Sequence, residues 1–435
     1  MTPILVSFLS LVTAVWVLTL PPDSAAGALP WALRQEALYL TGLWAFSFMS
    51  LAILLATRPA WLERPLGGMD RVYRLHRWAG ILAIGAAALH WLVEMSDDLI
   101  KAFFGREGRL PKEHEGGFLE VMRDLAEELG EWAIYALLAM LVLALWKRFP
   151  YRLWRPIHHV MPVLYAMLAI HAAFLAPLAY WTSTAGALLA LLIGSGMFAA
   201  VRSLSGRVGR TRQVNGVIEV VRQPVPDITE VVCRLDAGWR GHQPGQFAFA
   251  TFDRIEGAHP FTIASANRGD RRISFQIKAL GDYTRGLGAR LQPGQPVRVE
   301  GPYGCFDFRR ARKGGQIWIA GGIGVTPFLA WLESLQSSPQ DAPDTDFYYC
   351  TRHRDKDPFV PRLEVLCASL PTIRLHIRSS DRDSQLTAQA LHGRHGDAPT
   401  EIWFCGPRPF ADTLRNGLRK LGAHMRFHQE AFELR

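Results

Sequence analysis

Four histidines fall within or at the edges of long apolar stretches: His76, His90, His158 and His171, with His159 as a neighbour. Ionisable side chains are costly inside a membrane and are usually kept there for function. Neutral imidazole binds iron without leaving a buried charge, so histidine pairs on two neighbouring helices suit bis-axial haem ligation. His76 and His90 are fourteen residues apart. On an ideal helix that is a rise of ~21 Å and a rotation within ~40° of one face, which allows two haems to stack across the membrane. His158 and His171 are thirteen apart and point ~140° from each other on an ideal helix; His159 in place of His158 leaves ~120°. Pro162 offers a local distortion that would change this phase.

A second chemical stretch is His259-Pro260-Phe261-Thr262-Ile263-Ala264-Ser265, a short apolar strand with a hydroxyl at its centre. Phe261, Thr262 and Ser265 could offer an isoalloxazine a flat apolar surface and small hydroxyl donors, although an ordinary sheet strand ending at a turn reads the same way. Downstream, Gly281 to Thr284 reads as the start of a short helix whose N–H groups suit a pyrophosphate, with charge added by Lys278 and Arg285. Gly321-Gly322-Ile323-Gly324 is a glycine turn between an apolar strand, Gln316 to Ala320, and a helix begun by Thr326 and Pro327. Such a turn lets backbone approach a nucleotide phosphate, but its spacing differs from the dinucleotide fingerprint of ordinary dehydrogenases. Cys405-Gly406-Pro407 ends another strand at the carboxyl edge, where ligands bind in open parallel sheets. Arg352-His353-Arg354 follows the strand Phe347 to Thr351, where an NAD enzyme often presents an acid to the ribose. Two guanidiniums there favour the 2′-phosphate of NADPH, unless Asp355 and Asp357 pair with them.

The elements that carry these residues divide the 435-residue chain. Six apolar runs fill the first two hundred residues: Pro3 to Leu20, Ala37 to Ala56, Leu75 to Met95, Trp132 to Trp146, Val160 to Tyr180 and Thr182 to Val201. Each is near the ~20 residues a spanning helix needs. The first lacks a basic flank and is read as a retained helix rather than a signal peptide. Arg58, Arg64, Arg71, Arg74 and Arg77 cluster after the second run, Lys147, Arg148, Arg152 and Arg155 after the fourth, and Arg202, Arg207, Arg210 and Arg212 after the sixth. The positive-inside rule places these in the cytoplasm, and places the connection from Ser96 to Glu131, with Asp97, Asp98, Glu113, Glu115, Glu127 and Glu128, outside. It also accounts for the net charge of +9 without nucleic acid.

From Val214 to about Phe308 short strands alternate with turns such as Gln243-Pro244-Gly245, which predicts a small antiparallel barrel. Beyond Gln316, strands alternate with helical stretches, which predicts an open parallel sheet. All five cysteines lie in this soluble half without C-x-x-C spacing, which fits a reducing compartment and neither a disulfide framework nor a zinc site. The expected architecture is a six-helix transmembrane bundle, residues 1–202, then an FAD-binding antiparallel barrel, 203–310, and an NAD(P)-binding α/β domain, 311–435.

His259 to Ser265, Lys278 to Thr284, Gly301-Pro302-Tyr303-Gly304, Gly321 to Phe328 and Cys405-Gly406-Pro407, in that order, resemble the ferredoxin-reductase-type flavin and nicotinamide domains of the ferric reductase and NADPH oxidase family. Tyr73 to Trp78 with His90, and Trp154 to His158 with His171, resemble that family's haem-ligand helices. The resemblance implies an inner haem between His76 and His158 and an outer haem between His90 and His171. It also implies a nicotinamide beside Cys405, an aromatic Phe432 over the flavin, and NADPH recognition by Arg352. Thr262, Cys405 and Phe432 are then the catalytic positions.

The implied activity is electron transfer from cytoplasmic NADPH through FAD and two b-type haems to oxygen or a ferric chelate outside a bacterial inner membrane. A haem-free membrane-anchored flavin reductase, and a non-redox scaffold or sensor with a relic reductase domain, are the rival readings.

Overall fold

A computed structural model describes residues 2–20, 29–106, 116–146, 149–253, 256–311, 315–395, 400–423 and 425–430. Two compact units emerge: Met1–Leu62 with Arg71–Val208, and Glu63–Asp70 with Gly209–Arg435.

The first unit is helical. Its elements are α1 (Thr2–Val17), α2 (Leu29–Ala56), α3 (Ala60–Leu66, shared with the second unit), α4 (Met69–Met95), α5 (Asp97–Phe104), α6 (Phe118–Leu145), α7 (Tyr151–His158), α8 (Met161–Leu175) and α9 (Thr184–Leu204). Among the described residues, five helical spans are long and apolar enough to cross a bilayer: α2, α4, α6, Pro156–Leu175 and α9. The expected count of six is therefore not confirmed. The helix in the first run has 16 residues, a rise of ~24 Å against a hydrocarbon core of ~30 Å. Exposed Leu92, Val142, Leu191 and Phe198 fit lipid-facing surfaces. A polar contact ties three helices internally, where hydrocarbon offers no alternative partner. The Tyr165 hydroxyl of α8 donates to the Leu192 carbonyl of α9 at 2.8 Å and lies 2.9 Å from Ser50 Oγ of α2.

Two predicted boundaries moved. The fourth span begins at Phe118, so the last part of the connection expected to be a loop is helix, and with α5 more than half of it is helical. Acidic and basic residues are good helix formers and continue a helix past its apolar stretch. The fifth run is broken: α7 ends at His158, His159 and Val160 form a turn, and α8 restarts with Pro162 in its first turn.

In the second unit, six strands form an antiparallel sheet: β1 (Gln213–Val225), β2 (Ile228–Leu235), β3 (Phe247–Thr251), β4 (His259–Thr262), β5 (Arg272–Lys278) and β6 (Pro296–Tyr303). Their order is β4-β3-β6-β1-β2-β5. The sheet curls but does not close as the expected barrel, because its edge strands meet only through the isolated bridge Ile263–Phe275. Past Thr262 the chain leaves β3, and Ala264 N–H donates to the Ser274 carbonyl of β5 instead.

The remaining strands are β7 (Gln316–Gly321), β8 (Thr345–Thr351), β9 (Ile373–Ser379), β10 (Thr400–Cys405) and β11 (Met425–Glu430), all parallel in the order β11-β10-β7-β8-β9. Following the four-residue α10 (Leu287–Arg290), the helices of this part are α11 (Thr326–Leu335), α12 (Phe359–Ala368), α13 (Ala388–His395) and α14 (Arg408–Lys420). Strand alternation sends Trp318, Phe347, Tyr349 and Trp403 to a core with Phe328 and Trp331 of α11 and Leu363 of α12. Ile317, Ile319, Ile402 and Phe404 go to the opposite core with Leu391 of α13 and Leu414 of α14.

Candidate functional site

In the helical unit, the four histidines come together as two pairs. His76 and His158 have ring centres 6.1 Å apart with planes at 89°, and His90 and His171 have centres 6.2 Å apart at 86°. Two imidazoles that ligate one iron through nitrogens at about 2 Å each have ring centres about 6 Å apart. The break after His158 resolves the phase conflict of the fifth run, since residues on either side of a turn do not share one helical screw. His159 lies in that turn and is exposed, so His158 is the member of the pair.

Three of the four rings are held alike. The Nδ1 atoms of His76, His90 and His171 lie 2.8, 3.0 and 2.8 Å from the carbonyls of Ala52, Leu38 and Ala126. A carbonyl only accepts, so each Nδ1 carries its proton and each Nε2 keeps its lone pair. That tautomer, oriented by a backbone carbonyl, is the one a metal-bound histidine uses. His158 is held differently: its Nδ1 is buried without a partner among the described residues, and its ring stacks on Trp154 at 5.0 Å. Two helical glycines provide the room. A Cβ at Gly130 of α6 would lie 2.3 Å from His171 Nδ1, and one at Gly42 of α2 would lie 3.1 Å from His90 Nδ1. Gly42, amid an apolar run, carries a sequence signal of close helix approach, whereas Gly130 among glutamates carries none.

In the second unit, β4 presents alternate residues to opposite faces. Phe261 packs on Phe252 and Phe275 in the interior of the curled sheet. Pro260 and Thr262 lie on the other face, opposite Phe249 and Phe247 of β3. Thr262 is 4% exposed and its Oγ1 has no partner among the described residues. His259 stacks on Tyr283 at 3.9 Å with planes 10° apart, and the Tyr283 hydroxyl is also buried and unpartnered among those residues. Burial pushes the Tyr283 phenol up to about 12, against the opposing charge of Arg290 and with smaller help from Asp253 and Glu256. Buried polar groups without partners are rare and costly, so these two hydroxyls fit a bound ligand that satisfies them. Ser265 is used otherwise: its hydroxyl accepts the Ser274 N–H at 3.0 Å. No helix starts at Gly281; residues 281–286 form a turn, and Thr284 Oγ1 accepts the N–H groups of Leu280 and Gly281. Lys278 lies 3.7 Å from Asp227, and Arg285 lies 3.8 Å from Asp282.

The glycine turn and the strand end at Cys405 meet between β7 and β10, where the sheet order reverses and open parallel sheets bind ligands. Gly322 has φ +54°, a left-handed conformation that favours glycine. Gly324 is needed for packing: a Cβ there would lie 2.3 Å from the Cys405 carbonyl. Gly321 and Gly406 also approach closely, and a Cβ on Gly321 would lie 2.9 Å from Pro407. Thr326 Oγ1 donates to the Ile323 carbonyl and Pro327 sits in the first turn of α11. Cys405 is fully buried and burial pushes its thiol well up, so it stays a neutral thiol. Its parallel partner Glu430 is half-buried with its Oε2 out of reach of solvent, and desolvation, then the Asp70 carboxylate, push its carboxyl well above the ordinary range. The sequence reading passed over Glu430 and Tyr283. Phe432 lies outside the described residues.

At the ends of β8 and β9 the competing ion pairs are made elsewhere. Asp355 pairs with Arg382, and Arg354 with Glu364 at 2.9 Å. Asp357 accepts the Tyr349 hydroxyl, the Thr351 hydroxyl and the Phe359 N–H. Arg352 is exposed and makes no ion pair among the described residues.

The spanning helices and the two sheets define an integral membrane protein with a two-sheet soluble module whose orphaned hydroxyls and strand-end crevice suit a flavin and a nucleotide. Residues 41–169 match the family of ferric reductase like transmembrane components, and residues 226–306 match an FAD-binding domain family. Two separate segments of the chain are thus similar, in order, to a ferric reductase like transmembrane component and to an FAD-binding domain.

The reductase subunit of stachydrine N-demethylase from Rhizobium meliloti is 27% identical over 44% of this chain and 58% of its own length. The vanillate O-demethylase oxidoreductase of a Pseudomonas species is 29% identical over 33% of this chain and 43% of its own. Respiratory burst oxidase homolog protein E of Arabidopsis thaliana is 28% identical over 42% of this chain and 22% of its own. This chain therefore spans about half, or less, of the curated relatives it matches.

Proposed function

We propose that this protein is an NADPH-dependent transmembrane oxidoreductase that moves electrons from the side of its nucleotide-binding unit to an acceptor on the far face, oxygen or a ferric chelate. The observation that carries this is the pair of imidazole pairs at 6.1 and 6.2 Å, three of whose rings are locked in the metal-binding tautomer by backbone carbonyls. His76 with His158, and His90 with His171, would hold two b-type haems. Thr262 and Tyr283 would meet FAD, and the crevice of Gly321 to Pro327 and Cys405 to Pro407 would take the nucleotide, with Arg352 on its 2′-phosphate. When bound, FAD supplies the conversion between a two-electron hydride donor and the one-electron chemistry of haem.

The protein's own residues do the holding. Carbonyls 38, 52 and 126 aim the imidazoles, and the neutrality of those rings keeps charge out of the apolar bundle. The arginines between α2 and α4 and after α9 favour the cytoplasm of a bacterial cell for the second unit. Residues 1–202, 203–310 and 311–435 would then be the haem, flavin and nucleotide parts. The match of residues 41–169 to ferric reductase like transmembrane components supports the reading, as does the likeness to a respiratory burst oxidase homolog.

The test is an anaerobic reduced-minus-oxidised spectrum of the FAD-loaded, purified chain after NADPH addition. Low-spin haem bands at two haems per chain are expected. Their absence from protein that holds FAD overturns the proposal, and superoxide against ferrous production then separates the acceptors.

A further inference from the structure

The short segment Glu63–Asp70 lies in sequence between the spanning helices α2 and α4, yet it belongs to the unit of the two sheets. Glu63 is its anchor. The side chain is buried, 7% exposed, and both carboxylate oxygens are used inside that unit. Oε1 accepts the N–H of Gly304 at 2.6 Å, and Oε2 pairs with Arg212 at 3.2 Å. Arg212 also donates to the Pro302 carbonyl at 3.0 Å, and its guanidinium lies 4.7 Å from the centre of the Tyr303 ring. One carboxylate thus holds the end of β6 at two points, the Gly304 amide directly and the Pro302 carbonyl through the arginine.

The strand end it holds backs the face that carries Thr262. Gly304 has φ +108°, and a Cβ there would lie 3.3 Å from the Phe247 ring. Phe247 is the cross-strand partner of Thr262 on β4 and packs on Tyr303 at 5.9 Å. The Tyr303 hydroxyl in turn donates to Glu300 at 2.7 Å, and Gln213 donates to the same carboxylate at 3.2 Å. A buried carboxylate costs several kcal/mol unless it is paired and hydrogen-bonded. A fold that can place an apolar side chain at this point keeps an acid there for what it orients.

We infer that Glu63 is a positioning residue of the flavin site, supplied from the connection between two membrane helices. By fixing the carboxyl end of β6 at Pro302 to Gly304 it sets the face on which Thr262 meets the flavin. The flavin-binding unit is then incomplete without residues 63–70.

The inference rests on the flavin reading of this unit, and the experiment separates the two. FAD is titrated into deflavinated full-length protein carrying Glu63→Ala, Glu63→Gln, Glu63→Asp, Arg212→Met or the double change Glu63→Ala with Arg212→Met, with the visible circular dichroism of bound flavin recorded. Glu63→Ala is expected to weaken FAD about tenfold and alter the flavin spectrum, well below the unfolding temperature. The double variant is expected to do no worse than either single change, since both act through one ion pair. Glu63→Gln keeps an acceptor for Gly304 while losing the charge, and is expected to fall between wild type and Glu63→Ala; it decides the case if Glu63→Ala fails to fold. Rescue by Glu63→Asp of the spectrum, without rescue of thermal stability, marks positioning rather than general structure. Wild-type FAD affinity and spectrum in both Glu63→Ala and Glu63→Gln overturn the inference. A wild-type chain that takes up no FAD instead overturns the flavin reading itself.

Discussion

Replacing Gly130 by alanine tests how the outer histidine pair is built. The added Cβ would lie 2.3 Å from His171 Nδ1 and 2.4 Å from its Cε1, where ordinary carbon contacts are about 3.5 Å or more. The ring must therefore retreat by about 1 Å, which stretches the 2.8 Å bond from Nδ1 to the Ala126 carbonyl past hydrogen-bond length. Overpacking of this kind costs about 1–3 kcal/mol. Loss of the partner that orients a metal-bound histidine lowers metal affinity about 10–100-fold, or about 1.4–2.8 kcal/mol.

Together these amount to roughly 2–6 kcal/mol, at least a thirtyfold loss at the outer site. Gly42→Ala is the internal control, because its Cβ would lie 3.1 Å from His90 and asks the ring to give only a few tenths of an ångström. Haem-to-flavin ratio by pyridine haemochrome, with difference spectra, is the assay. Gly130→Ala should retain one haem, bound by His76 and His158, while Gly42→Ala retains two. Two haems with an unaltered spectrum in Gly130→Ala, or equal losses in both variants, would refute the reasoning.

Thr262→Val should weaken FAD about fivefold while leaving the flavin-free protein as stable or more so, because it removes a buried hydroxyl that only a ligand satisfies; equal FAD titrations of variant and wild type count against that contact. Arg352→Ala should lower kcat/KM for NADPH about ten- to hundredfold and leave NADH unchanged, the loss of one charge-assisted phosphate contact. Equal loss with both nucleotides would remove the argument for a 2′-phosphate site. Asp346 is buried, which alone would raise its pKa, but hydrogen bonds from Arg374 and His376 and the charge of Arg394 hold the carboxyl at about 2. A depressed folded-state value stabilises above the ordinary 3.8 and is lost as pH falls from there towards about 2. Unfolding of the sheet unit should therefore become easier across that window, and Asp346→Asn should be less stable at pH 7 with a flatter profile; a parallel profile in the variant would show that this group is not responsible.

How much of this was legible in the chain depends on the range over which each signal acts. The spanning helices, the parallel sheet and the strand-turn-helix at Gly321 follow from local hydropathy and turn chemistry, which a linear reading contains. The four histidines were also legible as types, since imidazole in an apolar run is conspicuous. Their pairing followed from the family resemblance and not from helical phase, because phase accumulates along the chain and a two-residue turn at His159 and Val160 resets it. Curvature of the first sheet was predicted, but closure depends on whether edge strands far apart in sequence meet in a full ladder, and here one bridge joins them. Gly324 read as a ligand-facing glycine, whereas its close neighbour is the Cys405 carbonyl eighty-one residues later.

Glu63 shows the division most plainly. By its position among arginines between two apolar runs it reads as one more solvated charge. Only the folded chain places it against Gly304 and Arg212, where removal from water turns a weak surface interaction into one that must be satisfied. Sequence determined which chemical groups this protein owns and which of them lie in the membrane. Tertiary structure decided which groups meet, because contact between distant residues depends on packing that no local pattern records.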